Sequence, residues 1–161
     1  MGVLERQAYE AAFGVAIEDV PGLVRSRLSF GVVRTFPAGD PPETAGVIIL
    51  DEPLPPVEVV TETSGLHRSL GFATVRVGDE WDDWPYLLYS VTDLLQDLVT
   101  IGLFTLRAET RWPMCTDHSG RHALRVGIQD ADRPRCVWVC PLTERAAAPV
   151  GRLVDRRTSA P

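Results

Sequence analysis

The chain has 161 residues, 45% hydrophobic and 24% charged, with a net charge of −6. A chain of this length forms one core that buries roughly 70% of its unfolded surface, and the negative balance argues against sequence-independent nucleic-acid binding, whose affinity comes from Lys and Arg on phosphates. All sixteen basic residues are Arg, so lysine Schiff-base chemistry and the lysine-containing P-loop phosphate site are excluded. The chain also lacks Asn; a GC-rich genome that avoids AT-rich codons fits both absences, and selection against lysine modification fits the absence of Lys.

From Val3 to Ile17 the apolar positions Leu4, Ala8, Ala11, Ala12 and Val15 recur at helical spacing, which predicts an N-terminal helix. The segment is too acidic and its apolar part too brief for a secretory signal, and Arg6 stands where a myristoylation site needs Ser or Thr. Pro21-Gly22 breaks the pattern. Alternation through Leu28, Phe30 and Val32 predicts a strand, followed by a loop over Pro37 to Thr44. Further strands are expected at Gly46 to Leu50, Val57 to Thr61 and Leu70 to Val77, giving an antiparallel meander.

A helix is predicted from about Pro85 to Gly102, with Leu87, Val91, Leu94, Leu95, Leu98 and Ile101 on one broad face. Asp82 and Asp83 precede it at the positive end of its dipole, and Pro85 suits the first turn. Leu103 to Ala108 reads as a strand. Ala123 to Ile128 and Arg135 to Cys140 flank the turn residues Gln129 to Pro134 and form a hairpin. The expected fold is α+β, a mainly antiparallel sheet packed on one long helix, with an N-terminal helix and a C-terminal Cys/His hairpin. A single domain over 1–145 includes that hairpin segment at 111–141, and a mobile tail covers 146–161.

The chemistry concentrates between Cys115 and Cys140. Cysteine and neutral histidine are the preferred ligands of Zn²⁺, which structural sites hold with four of them in a tetrahedron. If Ile128 opposes Arg135, then Ala123 opposes Cys140, and Cys140 returns to the turn that carries Cys115 and His118, beside His122. Cys136 lies four residues up the strand, roughly 13 Å away at about 3.3 Å per residue, too far to share the ion unless the hairpin bends. The expected ligand set for a structural zinc is therefore Cys115, His118, His122 and Cys140, with Cys136 as the substitute. The same residues also fit three reduced thiols with no metal, or a Cys115–Cys140 disulfide. An odd cysteine count fits a reducing compartment, which places the protein in the cytoplasm.

The segment resembles a C-terminal pattern of small uncharacterised actinobacterial proteins, Trp-Pro-x-Cys-x-x-His, then His-x-Leu, then Trp-x-Cys-Pro. The matching residues are Trp112-Pro113-Met114-Cys115, His118, His122-Ala123-Leu124 and Trp138-Val139-Cys140-Pro141, and the likeness reaches back over Asp93 to Asp97. In that pattern Pro commonly follows the first Cys, where this chain has Thr116, and Cys136 is additional. The resemblance implies a lineage and a ligand set, and no activity.

Elsewhere, Asp79, Glu80, Trp81, Asp82 and Asp83 suit either a contact surface for a basic protein or a solvated helix start. Ser64 and His67 lack any nucleophile-elbow context, and no His-Glu-x-x-His helix is present. No uninterrupted apolar run approaches the roughly 20 residues that span a bilayer, so no membrane segment is expected. These features favour a small, acidic, metal-stabilised protein that binds another protein, in the manner of an inhibitor or immunity protein. The alternative is a small zinc-dependent hydrolase with an open site around Cys115, His118 and Cys140 and Asp117 as base.

Overall fold

The computed structural model describes residues 3–27, 29–35, 44–50, 71–76, 83–118 and 122–153. The first helix, α1 (Val3–Ala16), leads into a 3-10 turn at Ile17–Asp19. Val20 then turns extended, as the clash with a following proline ring requires, and the N–H groups of Val24 and Arg25 donate to Pro21 O to open α2 (Gly22–Arg27). The sequence pattern gave no warning of α2. Ala12 and Ala16 are fully buried, small enough for α1 to approach the long helix closely.

Three strands, β1 (Ser29–Thr35), β2 (Thr44–Leu50) and β3 (Gly71–Arg76), form an antiparallel sheet in chain order, as the meander predicts. Its pairings include Val32 with Val47 and Ile48 with Phe72. The expected strand at Val57 to Thr61 lies outside the described residues, as do Ser64 and His67.

The organising element is α3 (Trp84–Thr105), which lies against α1 and both sheets. Asp83 precedes it, Pro85 sits in its first turn, and Leu87, Val91, Leu95 and Leu98 are buried as expected. The buried stripe also takes in Leu88, Thr92, Val99, Gly102 and Leu103, whereas Ile101 is exposed and Leu94 is half-buried. Each fully buried leucine here contributes about 1.5–3 kcal/mol of hydrophobic stabilisation. By length and composition α3 is also apolar enough to cross a bilayer, with half of that stretch buried inside the domain.

The strand expected over Leu103 to Ala108 does not form. The helix runs on to Thr105 and closes with Ala108 N–H donating to Leu103 O and Arg107 N–H to Phe104 O, around Arg107 at φ 55°. This double hydrogen bond satisfies the last carbonyls of the helix. The apolar run Leu103-Phe104 continues the helical stripe at Leu103 and leaves Phe104 in solvent, which alternation alone does not reveal.

The second sheet contains β4 (Arg125–Gln129), β5 (Arg135–Val139) and β6 (Ala146–Pro149), with β5 central. Gln129 belongs to the strand, so the turn is Asp130 to Pro134, with Asp130 at φ 71° and its carboxylate accepting from Arg133 N–H. Ile128 therefore faces Cys136, not Arg135, and the register slips by one residue from the expected one.

Residues 146–153 correct the expected tail. β6 pairs with β5, Val150 is buried, and the buried carboxylate of Asp19 accepts hydrogen bonds from Gly151 N–H at 2.6 Å and Leu153 N–H at 2.7 Å. The same carboxylate accepts from Trp138 Nε1 at 2.7 Å. Gly151 has φ 81°, and a Cβ there would stand 2.7 Å from Val15 Cγ1 and 3.0 Å from Val15 O, so only glycine fits against α1. Residues 154–161 lie outside the described residues.

Candidate metal centre

Two local backbone pairings build the site. The first begins where the Met114–Ala123 bridge, the Leu124 N–H bond to Pro113 O at 2.6 Å and the Cys115 N–H bond to His122 O at 3.0 Å pair 113–115 with 122–124. Cys115 and His122 thus face each other at the base of one loop, and His118 stands within it. The second follows β5, where Cys140 N–H donates to Arg145 O and Glu144 N–H to Cys140 O, with Glu144 at φ 56°.

The potential ligand atoms of Cys115, His118, His122 and Cys140 all lie within 4.8 Å of one another. Cys115 Sγ is 3.3 Å from His118 Nδ1, Cys140 Sγ is 3.6 Å from the same nitrogen, and His122 Nε2 is 3.3 Å from Cys140 Sγ. The S···N edges of a zinc tetrahedron with Zn–S near 2.3 Å and Zn–N near 2.0–2.1 Å are about 3.5 Å. The separations match that polyhedron. Both sulfurs are buried and both imidazoles half-buried, the arrangement of a cage set just under the surface.

The surroundings of Cys140 favour the thiolate. Burial pushes the Cys140 thiol up, but the Thr143 hydroxyl, the backbone amides of Leu142 and Thr143 and the His122 ring outweigh it, and the thiol falls from 9.0 to about 6. Burial likewise raises Cys115, with the neighbouring Cys140 adding to the rise and the amides of Asp117 and His118 opposing it. Each sulfur therefore receives the backbone amides two and three residues ahead, and Cys140 is the first of the pair to ionise. A divalent ion held there would replace the remaining thiol proton and balance the second thiolate. His122 Nδ1 is buried without a hydrogen-bond partner among the described residues.

Cys136 is not part of the centre. It lies on the same strand beneath α3, where burial drives its thiol up to about 12, with Thr92 as a hydrogen-bond partner and the Asp19 charge nearby. The four residues gather without it, so the geometry gives no place to Cys136 as a substitute ligand. All three cysteines are free, so the Cys115–Cys140 disulfide is not formed.

The register slip leaves the cluster intact because convergence is carried by the 113–115 and 122–124 pairing rather than by an extended β4. Sequence reasoning also missed the turn amides that face the sulfurs, for which Pro141 directly after Cys140 was the available signal. It missed Gln96 too, whose Nε2 donates to Trp112 O at 3.1 Å and Leu124 O at 2.7 Å. Of the proposed contact surface, Asp79, Glu80, Trp81 and Asp82 lie outside the described residues. Asp83 is exposed ahead of α3, next to exposed Trp84 and close to exposed Tyr86.

No family model, curated protein or solved structure matches the chain.

Proposed function

We propose that this chain is a small, acidic, cytoplasmic protein in which a structural Zn²⁺ at Cys115, His118, His122 and Cys140 fixes the C-terminal sheet. The observation that carries the reading is the gathering of two thiols and two imidazoles within 4.8 Å. A two-sulfur, two-nitrogen set selects zinc among common divalent ions, and four protein ligands close the site. The centre then serves stability, and the alternative hydrolase, which needs a ligand position left for water, is disfavoured by the fourth ligand His122.

The biochemical role that follows is binding to another protein, in an inhibitor- or immunity-like manner. Exposed Asp83, Trp84 and Tyr86, continuous in sequence with Asp79 to Asp82, supply acidic charge beside aromatic surface, which suits a basic protein partner. Metal analysis of protein purified without chelator tests the centre. The expected result is a single zinc per chain, lost together with thermal stability in Cys115→Ala and His118→Ala; metal-free wild-type protein supplied with zinc rejects the reading. Salt-sensitive capture of a basic partner, abolished by Asp83→Arg, tests the binding role.

A further inference from the structure

Gln96 stands out on α3 as a polar side chain turned toward the Cys/His segment instead of solvent. Its amide nitrogen donates to two backbone carbonyls, Trp112 O and Leu124 O, residues 16 and 28 positions away along the chain. Both acceptors are carbonyl oxygens, so the side-chain nitrogen must face them, and both of its hydrogens are used. Trp112 leads through Pro113 and Met114 to Cys115. Leu124 is two residues beyond His122, and its own N–H is bonded to Pro113 O. One side chain thus spans the two backbone segments that set the separation of a sulfur ligand from a nitrogen ligand.

We propose that Gln96 is a positioning residue for the metal centre, holding the strands that carry Cys115 and His122 at ligand spacing from the rigid face of α3. This rests on the metal reading above. The physical basis is that outer contacts which orient ligands typically change metal affinity by about 10–100-fold. Helix α3 packs against α1 and both sheets, so it supplies a fixed origin for the two segments.

The test compares full-length wild type, Gln96→Met, Gln96→Glu and the control Thr92→Val in competition for Zn²⁺ with a chromophoric chelator, and follows Co²⁺ absorption. Thr92 is buried on the same helix, where its hydroxyl donates to Leu88 O at 2.6 Å and meets Cys136 on β5, so Thr92→Val weakens α3 and its packing on β5 without touching the backbone segments at Trp112 and Leu124 that Gln96 holds. Gln96→Met should lower zinc affinity about tenfold or more and alter the Co²⁺ ligand-field bands. Gln96→Glu should lower it further, because a carboxylate opposes both carbonyls. Thr92→Val should stay within about twofold of wild type in affinity while losing stability. Equal affinities for Gln96→Met and Thr92→Val overturn the proposal, whereas wild type that takes up neither ion overturns the metal reading itself. If the Gln96 variants fail to fold, side-chain amide exchange in wild type decides: slowing of both Gln96 amide protons on zinc addition supports the role, and unchanged fast exchange sinks it.

Discussion

Two devices tie down the C-terminal sheet, and they work on different scales. The Cys/His centre gathers four ligands from between Cys115 and Cys140, whereas Asp19 reaches across 119 residues to Trp138, 132 to Gly151 and 134 to Leu153. The first is a local cage that, on the proposed reading, would take its strength from an ion. The second is a single buried carboxylate, 6% exposed, whose three donors are all present in the protein itself. On that reading one would respond to metal supply and the other would not. Trp138 lies between them, its ring edge-on to Trp112 at 5.4 Å and its indole nitrogen on Asp19.

Metal removal gives the largest separation of the two. Chelation of zinc-loaded protein should cost on the order of 5 kcal/mol of stability at excess metal, read as a fall in the thermal midpoint. Hydrogen exchange at Cys115 N–H should then accelerate, while the Gly151 and Leu153 amides on Asp19 stay protected. Simultaneous loss of protection at both places would show that the cage and the carboxylate form one cooperative unit.

The converse experiment removes the carboxylate. Asp19→Ala leaves the Trp138 indole and two backbone amides without acceptors, and the expected cost is about 2–4 kcal/mol, equal in the presence and absence of zinc. Zinc affinity of the folded variant should remain within about twofold of wild type, measured by chelator competition.

The contrast also explains what the sequence could show. The cage was legible because Cys and His are few and their spacing implies a shared point, and α3 was legible because its apolar period is long. The carboxylate was not: an aspartate after an amphipathic helix looks like any solvated acid, and only the packed structure brings it to Trp138. Residues 146–153 were misjudged for the same reason, since Ala, Arg and Pro promise little burial while the partners that order the segment lie at the other end of the chain. The hairpin register failed by one residue because Gln129, polar enough for a turn, extends the ladder opposite Arg135 and donates to Glu144 O. The Cys140 prediction survived that error because a separate pairing, at Met114 and Ala123, carries the convergence.

A smaller change probes the long-range tie without altering its charge. Gly151→Ala places a Cβ against Val15 in a backbone conformation that disfavours it, and should cost about 1–3 kcal/mol by denaturant unfolding. Gly22→Ala, where the added Cβ meets nothing within 4 Å, should change stability little. A Gly151→Ala loss no greater than that of Gly22→Ala would mean that α1 yields easily and that the contact is not a constraint.

The finest distinction is in pH. Burial raises the Asp19 carboxyl above its ordinary 3.8, against the pull of the Trp138, Leu153 and Gly151 hydrogen bonds, and the adjacent Glu18 charge adds to the rise. A carboxyl raised on folding binds its proton first in the folded state, so its protonation contributes stability that is fully present below 3.8 and lost as pH rises through the folded value. The stability of wild type relative to Asp19→Asn should therefore increase on acidification through that window, measured with chelator present throughout so that no ligand equilibrium contributes. An opposite slope would mean that the three donated hydrogen bonds outweigh burial and that Asp19 is held as a carboxylate more firmly than in water. The Asp19 tie would then be acid-labile, as a zinc-thiolate cage would be, and the two devices would fail together as pH falls.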